Sequence, residues 1–89
     1  MNIALDYDQT YTADPAFWEK FIDLARESGH KVWIVTCRRD TYENREIVVV
    51  PSCLTFFTNL GSKKDFAEKA GMKVDVWIDD DPSCILYGK

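Results

Sequence analysis

Four short apolar runs recur along the chain, and polar or amphipathic stretches separate them. Asn2–Leu5 suits a buried strand, although four residues alone also fit a helical turn. Val32–Val35 is β-branched and aromatic and leads into Thr36. Leu54–Thr58 reads as a third strand and Val74–Ile78 as a fourth. Between the first two runs, Phe17, Trp18, Phe21, Ile22, Leu24 and Ala25 recur on one helical face, and Glu19, Lys20, Asp23, Arg26 and Glu27 fall mostly opposite. Asp14 as N-cap and Pro15 in the first turn open this helix, and Gly29 closes it. Asp40–Ile47 is polar enough for a surface helix, with Tyr42, Arg45 and Glu46 available for side-chain pairs. Its end is ambiguous, because Ile47–Val50 has strand chemistry yet runs into Pro51. Ser62 with Asp65 makes a capping-box-like start to a helix through Ala70, which Gly71 ends. The tail, Ile85–Tyr87, fits either a short edge strand or a packed loop.

Strand and helix alternate throughout, which predicts an α/β domain with a parallel sheet and helices on both faces, joined by right-handed crossovers. Sites in such sheets lie beyond the carboxyl ends of the strands. The pattern places Asp6 and Asp8, Thr36, Asn59, and Asp79 and Asp80 at four such ends. With 89 residues and no linker or repeat, residues 1–89 read as one domain.

Composition narrows the partners. A net charge of −4 argues against a broad nucleic-acid-binding face and leaves room only for a local basic mouth. Cys37, Cys53 and Cys84 are odd in number and lack C-x-x-C spacing, so free thiols in a reducing compartment are expected. Asp6 comes too soon for a signal peptide, and no apolar run approaches a membrane span. A cytoplasmic protein with no membrane partner is the expectation.

The candidate chemistry starts from D-x-D at Asp6 and Asp8. Ionised carboxylates beside an apolar core are costly unless a metal, a cation or a proton meets them. Asp79-Asp80-Asp81 ends the last apolar run in the same way, so a shared divalent-metal site is predicted. His30 reads as a surface residue and Trp18, Trp33 and Trp77 as core or near-core packing. Tyr7, Tyr11 and Tyr42 lie close to the expected mouth.

D-x-D-x-T after a first strand, T after a second, K opening a later helix and D-D after a last strand together resemble the haloacid dehalogenase superfamily of phosphohydrolases. The likeness runs from Ile3 to about Pro82. It implies a three-layer Rossmannoid sheet of about four strands in the order 4-1-2-3, with Mg²⁺ as cofactor. It further implies that Asp6 is a nucleophile forming an aspartyl-phosphate and Asp8 the general acid and base. The proximity of Asp6 would raise the proton affinity of Asp8, the pair titrating as a unit. Thr36 would donate to a phosphoryl oxygen, and Arg38 would hold substrate phosphate through its bidentate fork. Lys63 or Lys64 would supply the neutralising cation; Phe66 and Ala67, three and four positions on, favour Lys63. Asp6, the backbone carbonyl of Asp8, and Asp80 would hold the metal, with Asp79 acting through water or steadying the shell. Thr10 would orient the loop.

Members of that superfamily often carry a cap domain. Here only Tyr11–Asp14 separate Thr10 from Pro15, and only Leu60–Ser62 separate Asn59 from Lys63, so neither gap holds one. A capless site suits a phosphate presented on something large, such as a nucleic-acid end or a phosphoprotein, or a site closed by another subunit. The resemblance therefore implies a magnesium-dependent phosphatase, with a nucleotide or nucleic-acid-end phosphate as the expected substrate, most similar to small capless phage-encoded members. The alternatives are a non-catalytic phosphate- or metal-binding module on the same fold and, third, a receiver-like signalling domain.

Overall fold

A computed structural model describes residues 1–89. It contains strands β1 (Asn2–Leu5), β2 (Lys31–Thr36), β3 (Thr55–Phe57) and β4 (Val76–Ile78). The helices are α1 (Pro15–Glu27), α2 (Tyr42–Ile47), α3 (Lys63–Lys69) and α4 (Ser83–Leu86), and a 3-10 turn covers Tyr11–Ala13. All three strand pairings are parallel. The row is β3-β2-β1-β4, or β4-β1-β2-β3 from the other edge.

Alternation along the strands sends side chains to two faces. Ile3, Leu5, Val32 and Ile34 share one face and pack with Ile22 and Ala25 of α1. On the other face Trp33 meets Phe56 edge-on, and Phe56 meets Phe66 of α3. Asp14 caps α1 by accepting the Phe17 N–H at 3.2 Å, and Pro15 sits where no N–H is needed. The chain leaves α1 through Gly29 at φ +86°, a backbone conformation that favours glycine.

Four sequence expectations shift. The apolar face of α1 is narrower than its pattern: Phe17 and Leu24 are 55% and 63% exposed, leaving Trp18, Phe21, Ile22 and Ala25 to pack. Ile47–Val50 alternates buried and exposed like a strand but pairs with nothing. Val48 and Val50 plug the core beneath β1 and β2 instead. α2 starts at Tyr42 rather than Asp40 because Thr41 takes the cap, accepting the Asn44 N–H at 3.1 Å. Asp40 pairs from outside the helix with Arg45 at 2.6 Å. The tail is neither strand nor loop. Asp81 accepts the Ser83 N–H and hydroxyl and starts α4, which buries Cys84.

All three cysteines are free, and no helix is long and apolar enough to cross a membrane. His30 is half-buried and accepts at Nδ1 from the Met1 amino group at 2.7 Å.

The narrowed face of α1 is testable within one helix. Ile22 is fully buried, so Ile22→Ala should cost about 2–5 kcal/mol. Leu24→Ala should stay within about 0.5 kcal/mol. Urea denaturation of both variants measures the contrast.

Candidate active site

The parallel register brings the acids together. Leu5 stands opposite Ile34 on one side and Ile78 on the other, so the next residues along β1 and β4 are Asp6 and Asp79. The Asp6 N–H continues the ladder by donating to the Ile78 carbonyl at 2.9 Å. Beyond Asp8 the chain turns through Gln9 at φ +65° and returns Thr10 to the strand end. The Thr10 hydroxyl lies 3.3 Å from Asp6 Oδ2 and 3.1 Å from Asp80 Oδ1, and it accepts the Asp80 N–H at 3.2 Å. Thr10 thus ties the first acidic loop to the last.

Lys63 enters as the first residue of α3. Ser62, the N-cap, accepts the Asp65 N–H at 3.1 Å and donates its hydroxyl to the Ile85 carbonyl at 2.8 Å, fixing that turn. The Lys63 side chain is 2% exposed, and its Nζ donates to Asp6 Oδ1 at 2.7 Å and to Asp79 Oδ2 at 2.6 Å. Burial opposes the ammonium charge, but the two carboxylates outweigh it and hold Lys63 above its ordinary value. Lys64 is exposed, beside Glu68 and Lys73 on the outer surface.

One cation does not offset three acids. The Asp6 carboxyl is pushed up to about 6: burial raises it, Lys63 pulls it back, and neighbouring Asp80 and Asp79 raise it further. Asp6, Asp79 and Asp80 each offer an oxygen, all within 4.8 Å of one another. An all-oxygen set with surplus negative charge fits a hard divalent cation. These three residues could hold a metal, and Asp80, the most exposed of them, gives it access.

The Asp8 carboxylate lies outside this cluster; the resemblance assigns its backbone carbonyl, not its carboxylate, to the metal. Arg38 grips it bidentately, Nε to Oδ2 and Nη2 to Oδ1 at 2.8 Å each. Arg38, with Lys89 adding a smaller pull, holds the Asp8 carboxyl below its usual range rather than above it. The remaining Arg38 fork donates from Nη1 to Asn44 at 3.0 Å, and the guanidinium sits 5.8 Å over the Tyr7 ring. Arg38 is therefore committed to protein partners, where the sequence reading had it facing substrate. A fork that suits phosphate equally suits a carboxylate, and Asp8 is the nearer anion. The Asp8 backbone carbonyl accepts no hydrogen bond.

Thr36 closes β2 and is 1% exposed; its hydroxyl accepts the Arg38 N–H at 3.3 Å and donates to no protein atom. Asn59 and Leu60 both adopt positive φ, +54° and +67°, in the turn leading to α3. Asp81 holds Ser83 at the start of α4, and its backbone N–H donates to Asp79 at 3.0 Å.

These groups line one cleft of about 160 Å³. It joins Asp6, Asp8, Thr36, Arg38, Lys63, Asp79 and Asp80, whereas Asn59, also expected at a strand end, does not line it and accepts the Asp40 N–H at 2.8 Å instead. It also contains Asp81, Cys37 and Cys84, noted in the sequence but given no role at the site, and Gln9, Leu60 and Lys89, which carried no sequence signal. Burial pushes the Cys84 thiol up to about 12, so it is no thiolate nucleophile at neutral pH.

No protein-family profile, no curated protein and no solved structure matches this chain significantly.

The uncompensated acid makes a pH prediction. Between pH 3.8 and about 6 the folded protein holds a proton on Asp6 that the unfolded chain has released. Stability from this group is present at low pH and is lost as pH rises through 6, by about 3 kcal/mol at most. In EDTA at pH 7, Asp6→Asn should therefore melt above the unsubstituted protein, an advantage that vanishes near pH 4. Added Mg²⁺ should reverse the order. Thermal denaturation across pH, with and without metal, reads both effects.

Proposed function

We propose that this protein is a metal-dependent phosphohydrolase of haloacid-dehalogenase type, built on a Rossmannoid core, with Asp6 as its nucleophile. One observation carries the reading: a buried lysine, Lys63, bridges Asp6 and Asp79 within an oxygen-donor cluster at the carboxyl ends of parallel strands. A carboxylate that attacks an anionic phosphate needs positive charge at both ends of the forming bond. Lys63 provides it on the protein side. Asp6, Asp79 and Asp80 would hold Mg²⁺, which supplies charge neutralisation for the phosphoryl oxygens when bound.

In the first step an Asp6 oxygen attacks phosphorus, the ester P–O bond breaks, and the leaving oxygen takes a proton from Asp8. In the second, water attacks phosphorus, Asp8 recovers a proton from it, and inorganic phosphate departs with Asp6 regenerated. Thr36, whose hydroxyl proton has no protein acceptor, is available to a phosphoryl oxygen. Thr10 keeps Asp6 and Asp80 in place throughout.

The cleft favours a phosphate carried on a large molecule. Pockets that enclose whole small molecules run to about 300–1,000 Å³, whereas this one is about 160 Å³. It takes in a phosphoryl group and leaves its carrier outside. A nucleotide or nucleic-acid-end phosphate meets that requirement.

A second reading has a specific observation behind it. With Arg38 on both its oxygens, Asp8 is an ionised carboxylate rather than a ready acid. A domain that binds phosphate and metal without useful turnover would have that arrangement.

Phosphate release from p-nitrophenyl phosphate and from 3′- and 5′-phosphorylated oligonucleotides decides between them. Turnover should require Mg²⁺, and Asp6→Asn should lower it at least about 1,000-fold with an unchanged far-UV spectrum. Activity within tenfold of the parent would remove Asp6 as nucleophile. Asp8→Asn should cost about 10²–10⁴-fold on oligonucleotides. It should cost less on p-nitrophenyl phosphate, whose leaving group departs without a proton.

A further inference from the structure

Gly88 and Lys89 are held against the rim of the cleft by a contact that only glycine permits. A Cβ at position 88 would lie 2.5 Å from the Leu60 carbonyl oxygen, 2.5 Å from the Gly61 carbonyl carbon and 2.8 Å from the Ser62 nitrogen. All three are backbone atoms of the turn that opens α3, so none can give way. Gly88 also has φ +78°, which a side chain would strain. The Lys89 N–H then donates to the Leu60 carbonyl at 2.9 Å. Leu60 is itself at φ +67°, and its N–H donates to the Cys37 carbonyl at 2.8 Å. A strained turn is thus clasped between the end of β2 and the tail. Strain of this kind persists only where surrounding contacts enforce it, and such places cluster at functional sites.

The clasp delivers a cation. Of the three that line the cleft, Lys63 is bound to Asp6 and Asp79, and Arg38 to Asp8. Lys89 alone forms no ion pair, and it is exposed. A cleft too small for the substrate's carrier leaves the group next to the reacting phosphate outside, at the rim. We infer that Lys89 is a specificity-determining residue that binds a second phosphate of the substrate, the internucleotide phosphate next to the end being hydrolysed. This rests on the phosphohydrolase reading for the identity of the first phosphate. Tyr87, 80% exposed and two residues before Lys89, favours a nucleic acid over an acidic peptide. An exposed ring two residues from a cation along the chain supplies the two elements, a stacking face and a charge, by which single strands are held.

Binding of non-hydrolysable probes tests the inference apart from catalysis. With Mg²⁺ present, a thymidine dinucleotide ending in a methylenephosphonate (5′ or 3′, whichever binds better) is compared with the mononucleotide phosphonate by calorimetry. The dinucleotide should bind about tenfold tighter at low salt. Lys89→Gln should bring that ratio to within twofold of unity, Lys89→Arg should keep it, and the salt slope should fall by about 0.7 in the Gln variant. Gly88→Ala should lose the preference in the same way. A ratio that Lys89→Gln leaves unmoved overturns the proposal. So does a larger Lys89 dependence for a peptide carrying the phosphonate beside aspartate. If the preference behaves as expected but the corresponding phosphates are never hydrolysed, the phosphohydrolase reading fails and the Lys89 site stands. Absence of binding by any probe overturns both.

Discussion

The Lys63 ammonium, buried between Asp6 and Asp79, is the interaction on which the rest of the arrangement depends. It ties the first turn of α3 to the ends of β1 and β4 at once. Desolvating these ions costs as much as, or more than, their attraction returns, so apolar residues of similar volume would serve stability as well or better. What the ion pairs provide is direction. They hold a carboxylate, an ammonium and a second carboxylate in one order, and a packed apolar contact would not specify that order.

The site takes a large share of a small core. Twenty residues are buried, and six of them are polar: Asp6, Thr10, Thr36, Thr58, Ser62 and Lys63. All six lie at or beyond the carboxyl ends of the strands, so the apolar core occupies the middle and opposite end of the sheet. A chain of this length has little stability in reserve. Keeping an under-compensated carboxylate at Asp6 under those conditions costs stability, the cost that the proposed activity would explain. Within the cleft the charges are divided. Asp6, Asp79 and Asp80 share Lys63, while Asp8 and Arg38 neutralise each other with Asn44 completing the fork. Any chemistry that needs Asp8 protonated must first loosen that pair.

Much of the frame was legible because its signals are local. Asp14-Pro15 marks the start of α1 through one side-chain bond and one missing N–H. Gly29 and Gly71 mark helix ends through positive φ, and Ser62 marks α3 through its hydroxyl. The Ile47–Val50 run left the end of α2 open because period-two burial needs only a core on one side, whereas a strand also needs a bonded neighbour. Leu24 misled, since a helical stripe is as wide as the sheet beneath it allows.

The residues able to do chemistry were determined by the sequence alone: acids after the first and last apolar runs, a threonine after the second, a lysine opening the third main helix. Parallel strands in register make those ends neighbours almost regardless of detail, and so Asp6, Thr36, Lys63 and Asp79 could be named without coordinates. Only the tertiary structure decided which charge meets which. Arg38 could reach a phosphate or a carboxylate, and the turn through Gln9 settled it on Asp8. Lys89 had no pattern around it at all; the close backbone approach at Gly88 put it at the cleft. Long side chains and irregular turns have many conformations of similar local energy, and the choice among them is made by contacts between residues far apart in the chain.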